Sequence, residues 1–478
     1  MSLDLNEEDS AVARVGTTFK EKEKPSKMEE LYRARIEMMQ KQGMEHLTKV
    51  LQANSTRAVE TPNVVVEGTE QLRDSFLASH LQPIINARNV TQLLQGIDEV
   101  RETLSTSGAL ANVGISLDAP TFSSNSTTTL QVVPKLKLTP ISRFMAKTGT
   151  NVGNGEGDGY ITLQWRNIRG AGESLILDAT TGTRTRSSYL AQYTAPLLES
   201  TRWKLDTAAY QTSRRIDWGS HEQVLRGLRS KIVKSENDLS QEFTIQGVFR
   251  SVRPYEGASG SVLAHAGDDL KISVGYDVTK DGRDDKVLPT MGSHVSLSNE
   301  VTTAYSTTQF LKQAFSGSWA TNWRDGRDIL NLSVRGGWLY ALNGPSHLMD
   351  RFYLGGPNDV RGFFYNGLGA RDHGDALGGD AFFSGGASLF TKFPGVSKES
   401  GLKLHTFLNF GSCVPWDHSD NTATLVKELL QPSVGCGFGI VFKHPVARFE
   451  LNFVLPVVAH ENDALRKGLQ YGVGIQFM

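Results

Sequence analysis

From Thr139 to Met478, apolar and polar residues alternate in run after run. In Ala447-Arg448-Phe449-Glu450-Leu451-Asn452-Phe453 every odd position is apolar and every even one polar. Leu330, Leu332, Val334, Trp338 and Tyr340 share one face of a segment whose other face carries Asn331, Ser333 and Arg335. Val295, Leu297 and Val301 oppose His294, Ser296, Ser298 and Glu300 in the same way, and Ile272, Val274, Tyr276 and Val278 oppose Lys271, Ser273 and Asp277. A period of two is the signature of a half-buried strand, and about sixteen such segments, separated by turn signals such as Asp281-Gly282 and Asp325-Gly326, predict an antiparallel sheet.

Strand number decides which face is inside. A barrel of about eight strands fills with side chains, but one of sixteen keeps an open lumen, so an apolar lining would face water. The apolar faces must therefore point outward into lipid, as strands of about ten residues crossing a bilayer do. Trp203, Trp218, Trp319, Trp323 and Trp338 near strand ends fit interfacial girdles. A soluble β-solenoid or double sandwich is disfavoured because no repeat period is present.

The upstream residues have another character. Residues 1–60 are polar, carry the run Lys20-Glu21-Lys22-Glu23-Lys24, and contain a candidate helix over 28–51 with Leu31, Met39, Leu47 and Leu51 near helical spacing. Such a segment is either a solvated, partly disordered tail or a docking helix for a partner. Residues 61–138 read β-α-α-β-β: a strand at 64–68, a helix over 69–84, a second helix from the N-cap Asn89 to Leu104, and strands at 111–117 and 127–138. That order predicts a small α+β domain with helices on one face of a three-stranded sheet. Its free edge suits pairing with an extended peptide.

Composition excludes more than it proposes. Net charge is −1, which leaves no basic footprint for nucleic acid. Cys413 and Cys436 make no disulfide scaffold and no Cys-x-x-Cys pair, and are read as unpaired thiols on neighbouring strands. No apolar run reaches eighteen residues, so no transmembrane helix is expected. The first thirty residues lack an apolar signal core and carry Asp4, Glu7, Glu8 and Asp9, so no cleaved N-terminal address is expected. Gly435-Cys436-Gly437-Phe438-Gly439 is followed by a strand and not a helix, against a dinucleotide turn. His444, His460 and Glu461 lack metal-ligand spacing, and no Gly-x-Ser-x-Gly elbow exists. Neither cofactor nor metal nor covalent catalysis is expected.

One loop breaks the pattern of short connections. Residues 344–379 contain Gly355-Gly356-Pro357-Asn358-Asp359-Val360-Arg361-Gly362-Phe363, too long for an ordinary turn. A guanidinium in a lumen can grip a lumen-facing carboxylate through a two-point contact. Asp380 and Glu450 are the candidate partners, and a plain structural plug is the competing reading. At the two ends of the sheet, Ile141-Ser142-Arg143-Phe144-Met145-Ala146-Lys147-Thr148 is a poor strand, bounded by Pro140 and Gly149. The last strand, Gln470-Tyr471-Gly472-Val473-Gly474-Ile475-Gln476-Phe477, alternates well, with Leu469, Tyr471, Val473, Ile475 and Phe477 facing lipid.

The single β-α-α-β-β module, the sixteen-stranded barrel and the Val360-Arg361-Gly362-Phe363 loop after the eleventh strand together resemble the BamA-type insertase superfamily. The C-terminal stretches Arg448–Phe453, Ala459–Asp463 and Arg466-Lys467-Gly468 resemble the fungal central barrel subunit of the mitochondrial sorting and assembly machinery, over residues 60–478. This resemblance implies that 61–138 is a POTRA-like domain in the intermembrane space and that the loop folds into the lumen. The location it implies is the mitochondrial outer membrane. It implies that Gln470, Gly472, Ile475 and Phe477 form a β-signal in the last strand. Implied partners are membrane lipid, β-barrel precursors, two peripheral cytosol-facing subunits, another outer-membrane barrel and an inner-membrane organising complex, with no nucleic acid. The activity expected is insertion of barrel precursors at a lateral gate between strands 1 and 16. A protein-conducting or passive pore is the alternative.

Overall fold

The computed structural model describes residues 53–119, 129–153, 156–197, 200–323, 327–396, 400–416, 422–445 and 447–474, with helical residues 32, 35, 36, 38, 39, 41–43, 49 and 50. Residues 1–31, most of the expected 28–51 helix, the Asp325-Gly326 turn, Ile475 and Phe477 lie outside them. The chain divides into two compact units: Met1–Glu67, Leu81–Arg101 and Gly114–Lys137 form one, and Gly68–His80, Glu102–Val113 and Leu138–Met478 the other. The division thus runs through the N-terminal module, and its last boundary falls between Lys137 and Leu138.

That module contains β1 (Val59–Glu60), β2 (Val65–Glu67), α1 (Asp74–Ile85), α2 (Val90–Thr106), β3 (Leu110–Asp118), β4 (Leu130–Gln131) and β5 (Val133–Pro140). A three-stranded sheet runs β2-β5-β3, with β2 parallel to β5, and β1 pairs parallel with β4 as a separate ribbon. Asn89 caps α2, its Oδ1 accepting the Gln92 N–H at 2.7 Å. Helix α1 begins at Asp74 and not at Thr69. The intervening turn is closed by the Leu72 N–H on the Thr69 carbonyl at 2.8 Å.

The second unit holds one sheet of sixteen antiparallel strands in unbroken sequence order. The strands are β6 (Phe144–Gly153), β7 (Glu156–Arg166), β8 (Ser174–Gly182), β9 (Thr185–Leu197), β10 (Ser200–Ile216), β11 (His221–Glu236) and β12 (Leu239–Pro254). After the short helix α3 (Gly260–Leu263) come β13 (Gly267–Asp281), β14 (Gly292–Thr302), β15 (Phe310–Trp323) and β16 (Asp328–Ala341). A long loop carries the hairpin β17 (Ala370–Asp372) and β18 (Asp375–Gly378), and then β19 (Ala381–Lys392) and β20 (Leu402–Val414) rejoin the sheet. Helix α4 (Thr422–Leu429), β21 (Ser433–Lys443), β22 (Arg448–Val458) and β23 (Gly468–Gly474) complete it.

The alternation sorts by face as sixteen strands require. On β22, Phe449, Leu451 and Phe453 are exposed at 43–47%, while Arg448, Glu450 and Asn452 between them are buried at 2–3%. On β14, Val295, Leu297 and Val301 are exposed as well. The sheet must wrap, because Arg250 of β12 and Glu450 of β22 both reach residues of the same β16–β19 loop. Antiparallel order puts the β10–β11, β12–β13, β16–β19, β20–β21 and β22–β23 connections at one rim, called here the far rim.

Strand 1 departs from expectation at its start. The barrel strand begins at Phe144, so Ile141, Ser142 and Arg143 precede it. Pro140 ends β5, and the Ile141 N–H is spent on the Ala109 carbonyl at 3.1 Å. The Ser142 hydroxyl turns back onto the Phe144 carbonyl at 3.1 Å. The two cysteines are not apposed: Cys436 pairs with Leu408, whereas Cys413 lies beyond the end of the β20–β21 ladder, which closes at Gly411↔Ser433.

Candidate functional site: the lumen loop and the terminal strands

Arg361 is fully buried. Its Nε donates to Glu450 Oε2 at 3.0 Å, its Nη2 to Oε1 at 3.3 Å, and its Nη1 to Asn409 Oδ1 at 2.9 Å. The guanidinium lies 4.8 Å from the Phe407 ring centroid. Glu450 also meets Arg448 and accepts from Asn452 Nδ2 at 2.7 Å, so one carboxylate serves two buried guanidiniums. His405 closes the cluster, bonded to Asn452 Oδ1 and Ser388 Oγ at 3.1 Å each and stacked on Phe390. Of the two acids named from sequence, the structure brings Glu450 to Arg361. Asp380 instead accepts the Trp416 N–H at 3.0 Å and stands 4.0 Å from Arg351.

Two glycines make this approach sterically possible. Gly362 has φ +95, which an L side chain rarely adopts. At Gly435 of β21, a Cβ would stand 2.1 Å from the Arg361 carbonyl oxygen, so the loop backbone lies flat on the wall. Val360 and Phe363, both fully buried, pack with Leu354, Leu368 and Cys413. Burying large apolar side chains contributes on the order of 2 kcal/mol each, so the loop carries a small core of its own.

Further anchors were not named from sequence. Asp350 at the loop root takes Arg250 Nη1 at 2.7 Å and Lys271 Nζ at 3.1 Å, and its carbonyl accepts Lys312 Nζ at 2.6 Å. Burial pushes the Asp350 carboxyl up, but Lys271 and Arg250 outweigh it and hold it below the ordinary range. Neighbouring His347 is lowered to about 4, by burial first and then by Arg250. Asp359 meets Arg335 of β16 and accepts the Gly355 N–H at 2.8 Å. At the loop tip, Asp375 accepts Ser220 Oγ at 2.5 Å and the Ser259 N–H at 2.9 Å, which ties the β17–β18 hairpin across the far rim.

The loop also holds the last strand. Gln470 of β23, 2% exposed, accepts the Gly362 N–H at 3.2 Å and donates to the Phe363 carbonyl at 3.1 Å. Asn358 Nδ2 donates to the Val473 carbonyl at 3.1 Å, and Phe363 forms an antiparallel bridge with Leu465. Gly472 is buried opposite Glu450, while Leu469 and Tyr471 point outward at 66% and 55% exposure.

Strand β6 has the opposite character. Phe144, Ala146, Lys147, Thr148 and Thr150 are exposed and Met145 and Gly149 half-buried, so among the described side chains neither face is covered. The Arg166 N–H bonds the Arg143 carbonyl at 2.6 Å, and Phe144 pairs with Trp165. That phase turns the backbone of odd residues toward β7 and that of Phe144, Ala146 and Thr148 toward the free edge. Among the described residues, no register joins β6 to β23.

The family model described as the Omp85 superfamily domain matches residues 167–477. The chain belongs to the Omp85 superfamily. Within it, the chain falls in the SAM50 branch: it is 32% identical to a SAM50-like protein of Schizosaccharomyces pombe, covering 90% of this chain and 94% of that protein. It is 30% identical to the Sorting assembly machinery 50 kDa subunit of Saccharomyces cerevisiae, covering 89% and 96%. The human Sorting and assembly machinery component 50 homolog is 26% identical, over 88% and 92%. BamA from Haemophilus ducreyi lacking POTRA domains 1–3 superposes with a TM-score of 0.71 at 13% identity, over 87% of this chain and 84% of that one. As an Omp85 barrel the chain crosses a membrane with strands.

Proposed function

We propose that this Omp85 protein is a β-barrel insertase of the mitochondrial outer membrane that receives precursor strands at the edge of β6. The observation that carries the reading is the contrast between the sheet's two ends. Strand β23 and the segment leading into it are fastened to the loop through Gln470, Asn358 and Leu465, whereas among the described residues β6 is bonded to β7 alone and is largely exposed on both faces. An edge with free donors and acceptors invites strand addition, normally a liability. Here it is a template on which an incoming β-signal forms main-chain hydrogen bonds by β-augmentation.

The process makes and breaks no covalent bond. A precursor's terminal strand pairs with β6, later hairpins add beside it, and the finished barrel closes and leaves. The β-α-α-β-β module is read as the POTRA-type domain of the intermembrane space. Two peripheral subunits at the cytosolic face, another barrel and an inner-membrane organising complex are the assembly partners of this reading. A sealed pore would instead need a continuous ladder between β6 and β23.

The edge phase supplies the test. Ala146→Pro removes a free-edge donor and no β6–β7 ladder bond, since the Ala146 N–H faces away from β7. Expected is loss of precursor insertion into isolated mitochondrial membranes, with the variant barrel itself folded. Insertion at the normal rate would overturn the assignment of the β6 edge.

A further inference from the structure

Helix α4 lies outside the barrel. The Ser412 hydroxyl of β20, which pairs with Phe383, donates to the Glu428 carbonyl at 3.3 Å and seats the end of α4 on the outer face. Trp416, whose N–H is fixed by Asp380, packs edge-on against outward-facing Tyr340 with ring centroids 5.3 Å apart. Between helix and wall runs a groove of about 520 Å³, lined by Phe315, Trp338, Phe383, Trp416, Leu425 and Leu429. Its floor is flat because Gly336 and Ala381 present almost no side chain there. Val426 and Leu430 line the same groove and still stand 52% and 71% exposed, so the apolar face of the helix is left partly uncovered.

We infer that this groove binds one acyl chain of a phospholipid from the far-rim leaflet, with α4 as an interfacial clasp over it. The groove is continuous with the apolar outer band of the wall, where Phe315, Trp319, Leu332 and Val334 stand exposed on β15 and β16. That band has lipid as its solvent in any sixteen-stranded membrane barrel. A short amphipathic helix that leaves its apolar face partly uncovered, with Lys427 and Glu428 exposed, lies in an interface, not in water. Walled by α4 on one side and lined almost wholly by apolar groups, the groove suits a chain that lies lengthwise between helix and wall. The Trp338, Tyr340 and Trp416 rings mark the headgroup level at the groove mouth.

The experiment reconstitutes the full chain in phosphatidylcholine nanodiscs containing phosphatidylcholine with a photoactivatable diazirine in one acyl chain. Labelled peptides are then mapped by mass spectrometry. Labelling of residues 425–430 and 381–383 is expected severalfold above that of the smooth outer wall at Phe243 and Phe249. Leu425→Trp, which fills the groove from the helix side, is expected to abolish the excess while heat-modifiable gel mobility stays that of a folded barrel. Leu429→Glu is expected to act alike by charge, so a folding failure in one variant leaves the other informative. Labelling at the smooth-wall level in the parent protein would overturn the inference. So would a groove that, in native membranes, crosslinks through Leu425 to another polypeptide in place of lipid.

Discussion

Glu450→Gln tests the lumen cluster most severely, because one carboxylate balances two buried guanidiniums. The amide keeps the shape and removes the charge, leaving Arg361 and Arg448, at 0% and 2% exposure, without an anion between them. Breaking a buried pair by removing one partner costs about 3–5 kcal/mol, or about two to four orders of magnitude in loop docking. Arg361→Ala is gentler. It loses the contacts to Glu450, Asn409 and Phe407, yet leaves Glu450 matched by Arg448 and Asn452, which places its cost at roughly 2–3 kcal/mol. The assay is heat-modifiable gel mobility against temperature for both variants in one detergent, paired with hydrogen exchange over residues 355–365. Glu450→Gln should unfold at the lower temperature and deprotect the loop more. Equal or reversed ranking would refute the view that Glu450 is shared.

Other expectations follow from the same contacts. Gly435→Ala places a Cβ within 2.1 Å of the Arg361 carbonyl and should cost roughly 1–3 kcal/mol by overpacking, read as faster hydrogen exchange at Arg361 and Gly362. Asp350→Asn leaves Arg250 with Asp269 and Lys271 with Glu300, so it should loosen the loop root by about 1–3 kcal/mol, less than Glu450→Gln, in the same exchange experiment. Acid should weaken the root in two stages. His347, at about 4 against an ordinary 6.5, takes up a proton on undocking, so docking weakens as pH falls from 6.5 to 4. Asp350, held below its ordinary 3.8, contributes fully above that value and loses its contribution as pH falls through its lower folded value. Exchange rates at residues 347–356 across pH, corrected for intrinsic rates, check the sign: protection that rises on acidification would contradict it.

The alternation of Arg448, Glu450 and Asn452 with Phe449, Leu451 and Phe453 placed each residue on its face before any coordinates, because period two and strand number suffice for that. Pairing across the lumen follows no such rule. Arg361 and Glu450 lie 89 residues apart, and nothing in a period distinguishes Glu450 from Asp380 as the partner. The Asp350 root, the Gln470 clamp and the Asp375 tip were illegible for the same reason, since each joins a loop to a strand at a depth set by barrel shear. Strand β6 was read three residues early, since Ile141–Arg143 have strand-compatible composition while their backbone is engaged with Ala109 and with a local turn. Helix α4 went unread because its residues follow a strand and are too few for helical periodicity to stand out.

The central claim is that precursors pair with the edge of β6. Single cysteines at Phe144, Ala146 and Thr148, each combined with cysteines stepped along the terminal strand of a barrel precursor, should give disulfides in one antiparallel or parallel register during import. The same precursor positions should not crosslink to cysteines on β16, deep within the sheet. Crosslinks absent at all three β6 positions in every register, with insertion proceeding normally, would contradict the account.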